Sequence, residues 1–475
     1  MTDPGYSRLT GLDNSFLVYE DASPAAGMHV ASTQVHEAAP LQRADGSLDI
    51  DRIEEYVLSR LDRIPRYRQR LAYTPVEGHP VWVDDASFNI HYHVRHSRLP
   101  RPGSDRQLKR MAARIFSQKL DREKPLWELW VIEGLENDRI AIVSKVHHCM
   151  VDGVSGSELV STLLTSEPME KPEPPARWAP RPMPSRLRVG AAEVARAVQA
   201  PLQAGEGIFR LLRNQDDARH HFAERMRAVG RVVGDFGTAP TPVPFNRPIG
   251  PFRRLDWMPM SMERIRAVRG AVGGTVNDVV LATAAGAFGR HLARDRGVDL
   301  EGVRFRVMAP VSVRAEEEKG TLGNRVSAWT VDLPIAEPDP LARLEFIREK
   351  TRELKETKRA LGAETLTRVT EWTGSTLLSL GARLVVYGTP FNAVITNVPG
   401  PNEPLYLLES RMLEIHPHVP LMGTLGLGIA LFSYAGTISW GFSADWDLVP
   451  DLHQMVVATE EAFEELCGAA GITSR

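Results

Sequence analysis

Apolar positions along the chain follow two rhythms. Runs that alternate with polar residues, or are continuously apolar and rich in β-branched and aromatic side chains, predict strands at MHVASTQV (28–35), HPVWVDD (79–85), LWELWVIEGL (126–135) and RIAIVSKVHH (139–148). The same signal returns at FRVMAPVSVR (305–314) and FNAVITNVP (391–399). A hairpin is predicted where LGLGIALFSY and TISWGFSA flank Ala435 and Gly436. Helical spacing predicts helices over 50–63 and 105–118. A last helix has Pro450 near its start, Leu452, Met455, Val456, Thr459, Phe463 and Leu466 on one face, and Gly468 at its end. Two proline-dense stretches, 166–185 and 238–251, are incompatible with helix or central strand and predict exposed connections. The 186–233 segment between them reads as mostly helical, interrupted at Pro201 and near Gly205. The pattern therefore predicts an α/β protein with mixed sheets: an N-terminal domain (1–165), a long proline-flanked helical connector (166–251) and a C-terminal domain (252–475).

Length agrees with two domains, because 475 residues exceed the roughly 250–300 at which single cores stop growing. A composition of 43% hydrophobic and 25% charged residues is that of a globular protein. Lys+Arg 57 against Asp+Glu 60 leaves a net charge of −3, which offers no general field for nucleic acid. Two cysteines, Cys149 and Cys467, are too few for a disulfide framework and fit a reducing cytoplasm. The first residues lack the charge-then-apolar order of a signal peptide, and no run approaches a spanning helix of about 18 apolar residues. A cytoplasmic protein, peripheral at most on membranes or lipid droplets, is expected.

The stretch KVHHCMVDG (145–153) concentrates the chemistry. On a strand of period two, Ile140, Ile142, Val146 and His148 share one face, and Ala141, Val143, Lys145 and His147 the other. The two imidazoles point apart, which suits joint metal chelation poorly, and no ligand cluster of zinc-like spacing lies nearby. An imidazole of ordinary pKa about 6.5 can accept a hydroxyl proton near neutrality and return it to a leaving group. His148, leaving the strand, is the better general base, and His147 the more structural of the pair. Asp152 either orients the imidazole or fixes the loop through an arginine, with Arg63, Arg70, Arg306 and Arg314 as possible partners. Gly153 permits the turn into a following helix. Cys149 is the rival nucleophile, but its neighbour in an extended chain points the other way, and a buried small residue is the commoner role.

HHCMVDG (147–153) resembles the HHxxxDG signature of the CoA-dependent acyltransferase superfamily. Its companions are similar to motifs of the bacterial wax ester synthase/diacylglycerol acyltransferase family. They are LTGLDNSFLVYEDASPAAGMHV (9–30), KPLWELWVIEGL (124–135), TVNDVVLA (275–282), APVSVR (309–314) with GN (323–324), and TNVPGP (396–401), in the same order. The resemblance implies two chloramphenicol-acetyltransferase-like domains with the active site between them. It implies transfer of a long-chain acyl group from acyl-CoA to diacylglycerol or a long-chain alcohol, with no bound cofactor or metal. It also implies His148 as base, His147 as a lesser contributor, Asp152 as a structural carboxylate, and Asn277 and Asp278 on the family's ND segment. Read locally, Thr275 to Asp278 is a capping box opening a helix, so Asp278 is equally a first-turn carboxylate, while Asn277 leans to substrate binding or the oxyanion. Trp127 and Trp130 belong to core by their strand setting. Alternatives are a condensation-type enzyme using a carrier-bound thioester, or a non-enzymatic lipid-associated protein. The apolar and arginine-rich 186–233 segment suits an anionic lipid interface, or equally a solvated basic face whose apolar side packs on the domains.

Overall fold

The computed structural model describes residues 6–23, 25–150, 163–175, 177–195, 239–312, 326–361 and 391–473. Strands β1 (Ser7–Arg8), β2 (His29–Glu37), β3 (Gln69–Tyr73), β4 (Pro80–Asp84), β5 (Val94–Arg98), β6 (Trp127–Leu135) and β7 (Arg139–His147) fill the first region. They alternate with helices α1 (Gly11–Ala22), α2 (Ile50–Arg60), α3 (Ile90–His93) and α4 (Asp105–Ser117). The later region holds β8 (Arg253–Ser261), β9 (Phe305–Ser312), β10 (Val326–Leu333), β11 (Ala393–Val398), β12 (Tyr406–Leu407), β13 (Ser410–His418), β14 (Leu427–Tyr434) and β15 (Thr437–Asp445). Its helices are α5 (Met262–Val272), α6 (Val276–Arg290), α7 (Pro340–Leu361) and α8 (Leu452–Ala469).

Two six-stranded mixed sheets result, with orders β12-β13-β2-β7-β6-β5 and β10-β9-β11-β14-β15-β8, and β1, β4 and β3 form a small third sheet. The alternation read along 139–148 is real. Ile140, Ile142 and Val146 enter one apolar cluster, and Ala141 and Val143 the opposite one. The β14–β15 turn holds Ala435 and Gly436 at positive φ (46° and 85°), the geometry of a tight two-residue hairpin.

One division expected from sequence is not kept. The 252–475 part is not self-contained, because β12 and β13 leave it and complete the N-terminal sheet, β13 pairing with β2 from Met412↔His36 to His418↔Ala31. The two halves also meet where α4 packs on β8, with Leu108, Ala112, Ile115 and Phe116 in one cluster with Leu255 and Trp257. Lys109 reaches across this seam to Asp256 at 2.5 Å.

Gly441 of β15 lies against the crossing strand: a Cβ there would stand 1.8 Å from the carbonyl oxygen of Pro417. Gly441→Val is expected to force the two strands apart and cost about 1–3 kcal/mol by overpacking. Gly468→Ala, whose Cβ meets nothing within 4 Å, is the control. Thermal denaturation of both variants checks this, and equal melting temperatures would refute the close approach.

Among the described residues no single helix is long and apolar enough to cross a membrane. The pair Met262–Val272 and Val276–Asp295 passes such a test only together and is bent by 99°. Its residues Ile265, Val268, Val279, Leu281, Ala285 and Phe288 are buried in the C-terminal core.

Candidate active site

The site is built where β7 ends against α1. Thr10 caps α1 by accepting the Asp13 N–H at 3.1 Å, which fixes the start of the helix. Asp13, Phe16 and Glu20 then stand three and four residues apart on one helical face. That face meets the histidines. Glu20 reaches His147, with Oε2 at 3.2 Å from Nε2, and the Phe16 ring stacks on the His148 ring at 4.0 Å and 27°.

His147 is fully engaged inside the protein. Its Nδ1 accepts the Cys149 backbone N–H at 3.2 Å, and the Cys149 Sγ lies 3.0 Å away. The proton therefore sits on Nε2 and is donated to Glu20. Glu20 is buried, and burial alone would raise its pKa, but His147 and the Met28 N–H at 2.9 Å hold the carboxyl well below the usual carboxylate range. Arg122 completes the cluster at 3.2 Å from Glu20. His29, paired with His147 across β2 and β7, is kept neutral by burial and accepts the Leu120 N–H at 3.3 Å. Burial pushes the Cys149 thiol up, so it is a packed group, not a thiolate nucleophile.

His148 has the opposite character. Its backbone N–H donates to the Met28 carbonyl at 2.8 Å, which pins the main chain as the strand opens into a short 3₁₀ turn. Its Nδ1 has no hydrogen-bond partner and its Nε2 forms no hydrogen bond with any described residue, and the side chain is partly exposed. Burial, with a smaller push from His147, brings its pKa down to about 4, against the pull of its own backbone carbonyl. At neutral pH the ring is therefore uncharged, with an Nε2 that no described residue engages. The two imidazoles have different surroundings, as their opposite strand faces predict.

Asp152 and Gly153 lie outside the described residues, as do Arg314 and the GN pair at 323–324. Of the other arginines considered for Asp152, Arg63 pairs with Glu173 at 3.2 Å, Arg70 approaches Asp85 at 3.9 Å, and Arg306 binds Asp332 at 2.6 Å. Arg60, not considered from sequence, is buried with Nε and one terminal nitrogen lacking partners among the described residues. Asp278 forms the capping box with Thr275 at 2.7 and 2.8 Å and accepts the Thr351 hydroxyl at 2.7 Å, so its hydrogen bonds stay within the C-terminal domain. Asn277 beside it is half-buried. Trp127 is core, donating to the Tyr67 carbonyl at 2.8 Å, while Trp130 is half-buried. In TNVPGP, Gly400 is required by packing, since a Cβ would stand 2.3 Å from Phe432 and the Ser433 carbonyl. Among the described residues no group of three or more His, Cys, Asp or Glu side chains is placed to hold a metal ion.

Sequence reading missed Phe16 and Glu20. The available signal was a glutamate on the same helical face as a phenylalanine, inside a segment quoted only for its resemblance.

The model of the wax ester synthase/diacylglycerol acyltransferase catalytic domain matches residues 9–280, and that of the WS/DGAT C-terminal domain matches 322–467. A Mycobacterium tuberculosis (strain ATCC 25618 / H37Rv) protein named "Probable diacyglycerol O-acyltransferase" is 30% identical over 472 residues, covering 97% of this chain and 96% of that protein. A second protein of that strain, named for the same activity, is 32% identical over 485 residues, 98% of this chain and 91% of its own length. The solved wax ester synthase/diacylglycerol acyltransferase of Marinobacter aquaeolei VT8 superposes with a TM-score of 0.68 at 25% identity, covering 98% of this chain and all of that one. The starter condensation domain of rhizomide synthetase shares the fold alone, with a TM-score of 0.58 at 11% identity and coverage of 98% and 95%. The chain belongs to the wax ester synthase/diacylglycerol acyltransferase family.

Proposed function

We propose that the protein transfers a long-chain acyl group from acyl-CoA to diacylglycerol or a long-chain alcohol, giving triacylglycerol or wax ester. The observation that supports this most is the neutral imidazole of His148, whose ring nitrogens no described residue engages, beside a histidine occupied by Glu20 and Cys149. In this reading Nε2 takes the acceptor's hydroxyl proton as that oxygen attacks the thioester carbonyl. The tetrahedral intermediate collapses, the carbon–sulfur bond breaks, and the imidazolium protonates the departing CoA thiolate. A positioned base typically supplies about 10²–10⁴-fold, so positioning and oxyanion stabilisation carry the rest. Asn277 and the backbone around Gly153 are the proposed oxyanion donors, and Asp278 supports the segment through its capping box. The test is incubation of purified protein with radiolabelled acyl-CoA and either hexadecanol or diacylglycerol. Labelled ester supports the reading and ranks the acceptors. No ester with either acceptor sinks it, and transfer from a carrier-bound thioester alone would favour the condensation-type alternative.

Asp152 is proposed as the carboxylate that anchors the loop, with Arg60 as its partner. Breaking a buried pair costs about 3–5 kcal/mol. Asp152→Asn and Arg60→Gln are expected to lower the melting temperature similarly, and the double variant no further than either alone. Additive losses would separate the two residues.

A lipid surface is the proposed site of work. The 186–195 helix is stapled to the β3–β4 hairpin by Glu193, which is buried and accepts the N–H groups of Val76 and Glu77 at 3.1 and 3.2 Å. Tyr73, Val76, Leu187 and Val194 stay exposed there, Leu187 at 88%, beside the exposed Arg186 and Arg188. Apolar and basic residues together suit an anionic interface. The arginines of 196–233 lie outside the described residues. Flotation with anionic liposomes is expected to recover the protein and to lose it on combining Val76→Asp with Leu187→Asp. Equal flotation of the variant would remove this surface from consideration.

A further inference from the structure

Taking His148 as the base, we propose that Phe16 is a positioning residue for acyl transfer: its ring, stacked on the imidazole, sets the plane in which the proton-accepting nitrogen is presented. The torsion that rotates a histidine ring is broad and roughly two-fold, so the ring needs an external restraint. In many hydrolases that restraint is a hydrogen bond to the nitrogen not used in catalysis. Here that nitrogen, Nδ1, has no partner among the described residues. The face-to-face contact at 4.0 Å and 27° supplies the restraint instead.

Phe16 is itself held on a firm platform. Thr10 caps its helix at one end, and at the other Glu20 is tied to His147, Met28 and Arg122. Among the described residues, the titratable and charged groups around His148 are His147 beside it, Cys149 after it, and Asp13 and Glu20 on the Phe16 helix. Glu20 is taken up by the three groups just named, and Asp13 accepts the Thr10 hydroxyl at 2.5 Å. The same apolar ring face that fixes the plane also removes water from one side of the imidazole, which favours its neutral form.

The test compares Phe16→Leu, which keeps bulk without a flat face, and Phe16→Tyr, which restores the ring. Steady-state rates with acyl-CoA are measured against pH, and the His148 ring is titrated by NMR with labelled histidine, assigned through a His148→Gln spectrum. Phe16→Leu is expected to lower kcat by roughly ten- to a hundredfold with KM for acyl-CoA nearly unchanged. The acidic limb of its profile and the His148 titration should both move upward toward the ordinary histidine range. Phe16→Tyr should recover rate and titration together. An unchanged titration and rate in Phe16→Leu overturn the proposal. So does a loss shared equally by Phe16→Tyr and tracking melting temperature, which is the mark of a packing role alone. A wild-type protein that makes no ester overturns the parent reading instead, and the titration still reports whether Phe16 governs the ring.

Discussion

His148→Ala is expected to lose about 10²–10⁴-fold in acyl transfer while melting at nearly the wild-type temperature. The combination follows from what the ring touches. Among the described residues its nitrogens hold no partner, so removing it leaves no buried donor or acceptor there stranded. His147→Ala should behave differently. It strips Glu20 of one partner and the Cys149 N–H of its acceptor, in a site that is almost wholly buried. Each such group left without a partner costs about 1–3 kcal/mol, so stability falls first and activity follows it. Matched assays of turnover and thermal melting on the two variants decide the matter. A His148→Ala enzyme of near wild-type turnover, or identical profiles for both variants, would mean that the roles have been assigned to the wrong residues.

The second large effect is loss of stability in mild acid. His36 and His418, both buried, are pushed down by burial to about 4 and about 3, and His29, His93, His291 and His416 are lowered for the same first reason. Each histidine takes up its proton near 6.5 when unfolded but only at lower pH when folded. Between those values the unfolded chain binds more protons, so stability is complete above about 6.5 and drains as pH falls toward 4. A fall from 6.5 to about 4 at His36 alone is worth about 3 kcal/mol, a large share of the roughly 5–15 kcal/mol that holds a domain. Urea midpoints measured from pH 7 to 4.5 should fall steeply. Replacing His36 and His418 together with glutamine should flatten the slope, and a midpoint independent of pH in the wild-type chain would contradict the expectation.

What could be read from the amino acids, and what could not, follows from where polarity is buried. RIAIVSKVHH announces β7 because its two faces enter different apolar clusters. SRMLEIHPH does not announce β13, because that strand buries His416 and His418 and carries Pro417, all three signs of a loop. Those histidines are tolerated through polar partners, His416 with Ser439 at 2.7 Å and with Glu414 of its own strand at 3.0 Å, and His418 with Thr33 of a distant strand at 2.8 Å. The site shows the same limit. The opposite faces of His147 and His148 come from local spacing, and the ND segment from the family resemblance. Phe16 and Glu20 come from a helix more than a hundred positions earlier, and no periodicity near the motif points to them. Arg60, proposed as the partner of Asp152, was missed because a helix-end arginine is ordinarily exposed, whereas here it is 2% exposed.

The crossing of β13 sets a timetable for synthesis. Thr33 and His418, bonded in the finished sheet, stand 385 positions apart. At about 5–20 residues per second, roughly 20–80 s pass between the emergence of β2 and the emergence of the strand that covers it. Throughout that interval the nascent N-terminal half carries an open sheet edge, the kind of surface that recruits foreign strands. A ribosome-bound chain of this protein thus keeps the β2 edge unpaired until Ser410–His418 appears, and a gene cut after the histidine motif would encode a half that lacks the strand closing it.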